Sequence, residues 1–355
     1  MMQGAGQERS GAEAPGAGIR LGFDTYSVRG FDWKAMQLID YAAGLKLDTI
    51  QISSLGDYES LEPGHLHEVK DHAARRGIQI DCGIGCICSL SLNYNRKSGP
   101  AADQIRRGLQ VAHTLGASSM RCYLGANNDR SQTLPIEALM EETIRTFRSV
   151  KSEAVDAGVK IALENHSGDL EADEVKTIIE ESGKDFTASC LDCGNPMWLA
   201  EDPLYTLETL APYVVTTHIR DSALWEHPRG AAFQWVALGD GNIDFHIFLE
   251  AYRRLCPHAS MQLEIITGRP PAVLPYLEPE FWKKQPKTKA EKFARFVAIA
   301  KAGRPFGGFM VVADGLKPEP PAYGEALREQ QRVDLERSLE YAKKKLGVGL
   351  RWREA

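Results

Sequence analysis

Short apolar runs recur along the chain, and between them apolar residues return at every third or fourth position. The first pattern marks buried strands, the second amphipathic helices. Residues 21–26, 48–53, 78–84, 119–124 and 159–166 read as strands, as do runs ending near Asp192, Asp221 and Ile266. Between them the spacing predicts helices over 33–43, 63–76, 101–115, 136–157, 171–181 and 203–210, with another beginning near Asp244. Gly77, Gly116, Gly158 and Gly183 stand where helices would stop. Residues 289–301 predict the helix that closes a barrel, and 325–345 an amphipathic helix in a C-terminal extension. Strand and helix signals that alternate in this way predict an α/β fold, a (β/α)8 barrel. No G-x-G-x-x-G follows the first strand to favour a doubly wound sheet.

Four of the strand signals finish in residues that bind metals. Val159-Lys160-Ile161-Ala162-Leu163 runs into Glu164, Asn165 and His166; Ser189-Cys190-Leu191 delivers Asp192; Val214-Val215-Thr216-Thr217 delivers His218; Met261-Gln262-Leu263 delivers Glu264. In a (β/α)8 barrel the carboxyl ends of the strands form the active site. Strand alternation puts Glu164 with His166, Cys190 with Asp192 and His218 with Arg220 on common faces, so these groups can point inward together. One acid at a strand end is ordinarily a solvated loop residue or helix cap. Four ligand-grade groups on the last four strands instead predict one metal site. Its oxygen and nitrogen donors suit Mn²⁺ first, with Mg²⁺, Co²⁺ or Zn²⁺ as alternatives.

Composition narrows the class. A chain of 355 residues suffices for one large barrel with extensions. The reading divides it into a loose tail over 1–18 without an apolar signal-peptide core, a catalytic barrel over 19–304, and an extension over 305–355. A net charge of -6 disfavours a nucleic-acid partner, and the absence of a long apolar run predicts no membrane span. The seven cysteines fall mostly within strand-like runs, as small core residues do in a reducing compartment, which predicts the cytoplasm. A zinc knuckle from Cys86, Cys88, Cys190 and Cys193 is disfavoured, because a strand would point Cys190 and Cys193 apart.

Leu163-Glu164-Asn165-His166, Asp192-Cys193-Gly194-Asn195, His218-Ile219-Arg220-Asp221, Leu238-Gly239-Asp240-Gly241-Asn242-Ile243-Asp244 and Leu263-Glu264 resemble the xylose isomerase-like TIM barrel superfamily. That group includes sugar phosphate isomerases and epimerases, endonuclease IV, ketose 3-epimerases, inosose dehydratases and C-glycoside deglycosidases. The resemblance implies a divalent ion held by Glu164, Asp192, His218 and Glu264, with Glu164 and Glu264 as the acid/base pair. It implies a carbohydrate substrate: proton removal beside a metal-polarised carbonyl leads to isomerisation or epimerisation, and expulsion of a neighbouring group makes the same site a lyase. Endonuclease activity would need a trinuclear cluster with more histidine ligands than the sequence offers. A sugar-binding barrel without catalysis is the other alternative.

One position departs from the epimerase pattern. Three residues past Asp192, where ketose 3-epimerases carry a histidine, stands Asn195, which can donate a hydrogen bond but carries no charge. His166 could supply the imidazole or merely orient Glu164, and Arg220 could clamp an anionic substrate group or pair with a ligand carboxylate. The connection over 221–242 is long enough for a lid, and its rings, Trp225 first with Phe233 and Trp235, could stack on a sugar or bury into a subunit contact. The proline-rich stretch over 268–286 predicts a rigid, non-helical wall at the catalytic end. The C-terminal extension would either build a homo- or hetero-oligomer or fold back on its own chain.

Overall fold

The computed structural model describes residues 14–313 and 320–353. Eight parallel strands form the barrel: β1 (Leu21–Asp24), β2 (Thr49–Ile52), β3 (Gln79–Cys86), β4 (Ser119–Tyr123), β5 (Lys160–Glu164), β6 (Thr187–Asp192), β7 (Val214–His218) and, after a two-stranded insertion, β10 (Met261–Leu263). Each pairs with the next in sequence, and β10 returns to β1 with Leu21 opposite Met261. The last seam is narrow, carried by a bridge between Ile219 and Leu263 and by Glu264 N–H donating to Ile219 O at 3.0 Å. Strands covered on both faces explain the near-continuous apolar runs.

Around the barrel lie α1 (Ala35–Gly44), α2 (Pro63–Arg76), α3 (Ala101–Leu115), α4 (Ile136–Arg148), α5 (Lys151–Ala157), α6 (Ala172–Ser182), α7 (Pro203–Leu210) and α8 (Phe245–Leu255). Their apolar stripes meet the outward strand residues in one continuous core, where each buried Leu or Ile contributes roughly 1.5–3 kcal/mol. The single helix expected over 136–157 breaks at Ser149 and Val150; Val150, at φ -119° and ψ 14°, leaves the helical region. Inside the barrel, below the mouth, the filling is polar. Gln262 Nε2 donates to Thr49 Oγ1 at 3.0 Å and to Asp81 Oδ2 at 3.1 Å. Gly22 faces this layer, and a Cβ there would meet Thr49 O at 2.3 Å. Only glycine fits so close an approach.

Three expectations about the extensions change. The connection over 221–242 is an antiparallel hairpin, β8 (Asp221–His227) with β9 (Gly230–Val236), and β11 (Ala272–Leu274) joins it as a third strand. Asp221 anchors its base by accepting from the N–H groups of Ser222, Gly239 and Gly241. Within the proline-rich stretch a short helix, α9 (Pro279–Lys283), does form, because Pro279 sits in its first turn, where no intrahelical donor is needed. The barrel is closed by α11 (Pro321–Lys344), whereas α10 (Ala290–Ala302), the helix expected to do so, backs the hairpin.

Phe296 and Ala300 of α10 belong to a separate apolar cluster with Leu224, Phe233 and Trp235. Leu335, Leu339 and Ala342 of α11 join the main core, as do Leu346 and Val348 beyond it. Gly30 N–H donates to Gln331 Oε1 at 2.9 Å, and Tyr41 Oη to Glu336 Oε1 at 3.0 Å. The extension is therefore folded back as part of the barrel wall, the second of the two arrangements expected for it. Of the N-terminal tail, residues 1–13 lie outside the described residues; the part from 14 on is tied down, with Gly16 N–H donating to Leu346 O at 2.8 Å.

Candidate functional site

Glu164, Asp192 and His218 are the last residues of β5, β6 and β7, and Glu264 follows β10 directly. The shared parallel register brings these ends to one level: Glu164 stands opposite Cys190, and Asp192 opposite His218. One ligand atom from each of the four lies within 4.8 Å of the other three. His218 Nδ1 is 3.2 Å from Glu164 Oε1 and 3.4 Å from Glu264 Oε2, yet it is buried without a hydrogen-bond partner. On the other side of the ring, Nε2 lies 3.3 Å from Asp24 Oδ2 and abuts the Gln51 amide nitrogen, which donates to that same Asp24 oxygen at 3.1 Å. A carboxylate behind one imidazole nitrogen leaves the other as a donor atom, an arrangement typical of metal-binding histidines.

The charges around this cluster do not balance. Asp24, Glu164, Asp192 and Glu264 are buried carboxylates, and two guanidinium groups face them. Arg121 Nε donates to Glu164 Oε2 at 2.5 Å, and Arg220 Nη2 contacts both Asp192 and Glu264. Burial pushes Glu164 up, but Arg121 and His218 outweigh it and hold the carboxyl down at about 2. Burial likewise opposes Arg220 and His218 at Glu264, which ends well below the usual carboxylate range. Burial alone would lower His218; Cys190, Glu264, Glu164 and Asp24 raise it well above its ordinary value. A field that draws a proton so strongly also draws a cation. The orphaned Nδ1 and the excess negative charge thus fit a divalent ion in this cluster of four side chains.

Neighbouring groups fix these side chains. Asp192 Oδ1 accepts from the N–H groups of Gly194 and Asn195, each at 2.7 Å, while Asn165 exchanges hydrogen bonds with the Asp192 backbone. Asn195 Nδ2 donates to Glu164 Oε1 at 3.2 Å. Above the cluster opens a cleft of about 370 Å³ whose lining includes Glu264, Arg121, Arg220, His166, Asn195 and Trp235. His166 stacks on Tyr123 with ring centroids 3.9 Å apart. Its Nδ1 lies 2.6 Å from Gly125 O, so that nitrogen donates and the Nε2 lone pair is free to accept. Burial lowers its proton affinity.

The sequence-predicted residues therefore converge, except Trp225. In the hairpin Trp225 pairs with Ala232, and Trp235 pairs with Ser222. Alternation puts the two indoles on opposite faces, and Trp235 is the ring at the cleft. The Arg220 guanidinium lies over it, 4.8 Å from the centroid. Asp24 and Arg121 escaped the sequence reading, although Arg121 carried a signal: a charge inside the apolar run Met120-Arg121-Cys122. All seven cysteines are buried and free. The thiol of Cys193 turns to Arg220 O, that of Cys86 to Leu124 O and that of Cys88 to Leu139 O, whereas Cys190 lies beside Glu164 and His218, so the four thiols do not converge.

The sequence profile of the xylose isomerase-like TIM barrel matches residues 39–285. The chain belongs to that family. Among curated relatives, the uncharacterized protein YihM of Escherichia coli (strain K12) is 26% identical over 210 residues, 54% of this chain. The match spans 62% of that relative's length. The 3-oxo-isoapionate decarboxylase of Pectobacterium atrosepticum is 23% identical over 247 residues, 66% of this chain and 81% of the relative. A D-psicose 3-epimerase structure aligns with TM-score 0.57 over 93% of this chain and 100% of its own, at 16% identity. An L-ribulose 3-epimerase structure aligns with TM-score 0.56 over 92% and 96%, at 18% identity. At such identities the structural likeness shows the shared fold. Among the described residues, no helix is long and apolar enough to cross a membrane.

Proposed function

We propose that this family member is a divalent-metal-dependent isomerase or epimerase of a sugar or keto-sugar, with Mn²⁺ as the ion that best suits three carboxylates and one imidazole. The observation that carries the reading is the convergence of Glu164, Asp192, His218 and Glu264 at the mouth of the barrel. Those four residues would hold the ion. Bound there, it would supply Lewis-acid polarisation of a substrate carbonyl and its neighbouring hydroxyl.

The chain's own groups do the rest. Glu264 borders the cleft and is placed to take the proton from the carbon beside the carbonyl. Glu164 Oε1, held by Asn195, is the second carboxylate through which a proton can return. His166 Nε2 accepts a substrate hydroxyl, and Asn195 shares its amide between Glu164 and the cleft. The two epimerase structures share this fold, and their names give the chemistry its precedent.

A lyase is the second reading, and one observation favours it. Glu164 is fully buried behind Arg121 and Asn195, so Glu264 is the carboxylate of the pair that borders the cleft. A single carboxyl group on one side suffices as the base that starts an elimination, or as the acid that protonates the enolate left when CO₂ departs in a decarboxylation, and the Pectobacterium relative is named for the latter. Incubation of the Mn²⁺-loaded protein with keto-sugars in D₂O separates the readings. Deuterium entering an intact carbon skeleton supports the isomerase or epimerase; loss of water, aglycone or CO₂ supports the lyase. Loaded protein that does neither, across ketoses and keto-acids, overturns both.

A further inference from the structure

One side of the cleft carries positive charge that the barrel does not neutralise. Arg121 is matched by Glu164, and Arg220 by Asp192 and Glu264. Arg269, just past the eighth barrel strand, also lines the cleft, and its guanidinium has no hydrogen bond or ion pair with any described residue. Arg29 is half-buried behind Tyr26, a cleft residue whose ring lies 4.4 Å from the guanidinium. It donates to two carbonyl oxygens, Tyr26 O at 3.0 Å and Thr267 O at 3.1 Å, and pairs with no carboxylate among the described residues. Burial lowers the proton affinity of Arg29; Tyr26 and Glu264 raise it, while Arg269 and Arg220 lower it further, so the three cations share one field. A third signal is the Nε–H of Arg220, buried without a partner.

Cations gathered without counter-charge beside a reaction site suit a ligand that brings the counter-charge itself. We infer that the substrate is an anionic keto-sugar, a sugar acid or a sugar phosphate, whose charged group docks on Arg269 with Arg29 behind it. A guanidinium offers a carboxylate or phosphate two parallel N–H donors, whereas a neutral hydroxyl accepts one and leaves the charge unmatched. The anchor also sets orientation, because Arg269 and Glu264 are close in sequence on one wall while His166 and Asn195 stand as neutral hydroxyl partners around the rest of the cleft. This inference rests on the keto-sugar reading for the rest of the substrate.

The test compares D-fructose, D-fructuronate and D-fructose 6-phosphate on the full Mn²⁺-loaded chain, with affinities from calorimetry and proton exchange followed in D₂O. A charged sugar should bind at least about tenfold more tightly than fructose, and the preference should weaken as salt rises. Arg269→Gln should abolish the preference while the Mn²⁺ affinity and unfolding midpoint stay put, since Arg269 is exposed and unpaired among the described residues. Preference for fructuronate assigns a carboxylate, and for the phosphate a phosphoryl group. Equal affinity for all three sugars, or a preference that survives Arg269→Gln, overturns the inference. Exchange with fructose and no charge preference would leave the keto-sugar reading intact. A preference abolished by Arg269→Gln without exchange or turnover of any sugar would instead retain the anion site and discard that reading.

Discussion

Arg121 and Glu164 form a buried ion pair across β4 and β5, Nε to Oε2 at 2.5 Å, at the floor of the cleft. Removing one partner of such a pair leaves an uncompensated charge and costs about 3–5 kcal/mol. Arg121→Met should lower the unfolding free energy of the metal-free protein by that order. Because the freed carboxylate belongs to the proposed ligand set, Mn²⁺ should restore part of the loss. Denaturant unfolding with and without Mn²⁺ measures both; a loss that Mn²⁺ leaves untouched would separate Glu164 from the ion.

Asp24 acts on the cluster through His218. Its Oδ2 lies 3.3 Å from Nε2 and accepts from the Gln51 amide that abuts the same nitrogen, so together they hold the ring with Nδ1 toward the carboxylates. Asp24→Asn should weaken Mn²⁺ binding about 10–100-fold, the usual effect of losing a carboxylate behind a metal-binding histidine. Equilibrium dialysis checks this, and unchanged affinity sinks the assignment.

The two hairpin tryptophans should behave oppositely. Trp235→Phe removes the indole under Arg220 together with its Nε1–H donation to Gly194 O at 3.3 Å, and should raise KM for the turned-over sugar at least about tenfold. Trp225→Phe, on the far face, should leave KM unchanged and alter stability by no more than about 0.5 kcal/mol. Steady-state kinetics that rank them the other way would place the cleft on the wrong face of the hairpin.

Lys292 is a fully buried ammonium held by Glu171 at 2.6 Å and Glu201 at 2.8 Å, pinning α10 to the barrel. Burial raises the Glu201 carboxyl above its ordinary value, and Lys292 restrains the rise. A carboxyl with a raised folded value binds protons more tightly when folded. Its contribution is present at low pH and is lost as pH climbs from the unfolded value, about 4.3, through the folded one. Lys292→Met should cost about 3–5 kcal/mol at neutral pH and make stability fall more steeply across that window. Denaturation midpoints from pH 4 to 8 would refute this by moving in parallel with the parent protein.

A chain ended at residue 313 loses α11 and with it Leu335, Leu339 and Ala342 from the main core. It should give no cooperative thermal transition. A stable, soluble truncated barrel would return the C-terminal segment to the status of an appendage.

Much of this protein is written locally. The period of the apolar residues determined the barrel strands and most of the helices around them, and the residues closing β5, β6 and β7 and following β10 marked the candidate site, because a parallel barrel brings all strand ends of one polarity to one mouth. Alternation inside a strand also determined that Cys190 and Cys193 part. What the chain alone left open depends on contacts between distant segments. Two amphipathic helices compete to close the barrel, and only packing decides for α11, whose narrow stripe of Leu335 and Leu339 fits the gap beside β10 while α10 covers the hairpin. Trp225 and Trp235 are indistinguishable until the hairpin register assigns their faces. Arg121, Arg220, Arg29 and Arg269 are merely charges in the sequence. Whether a guanidinium is neutralised by a carboxylate or left for a ligand is a matter of a few ångströms in three dimensions, a distance that local pattern does not encode.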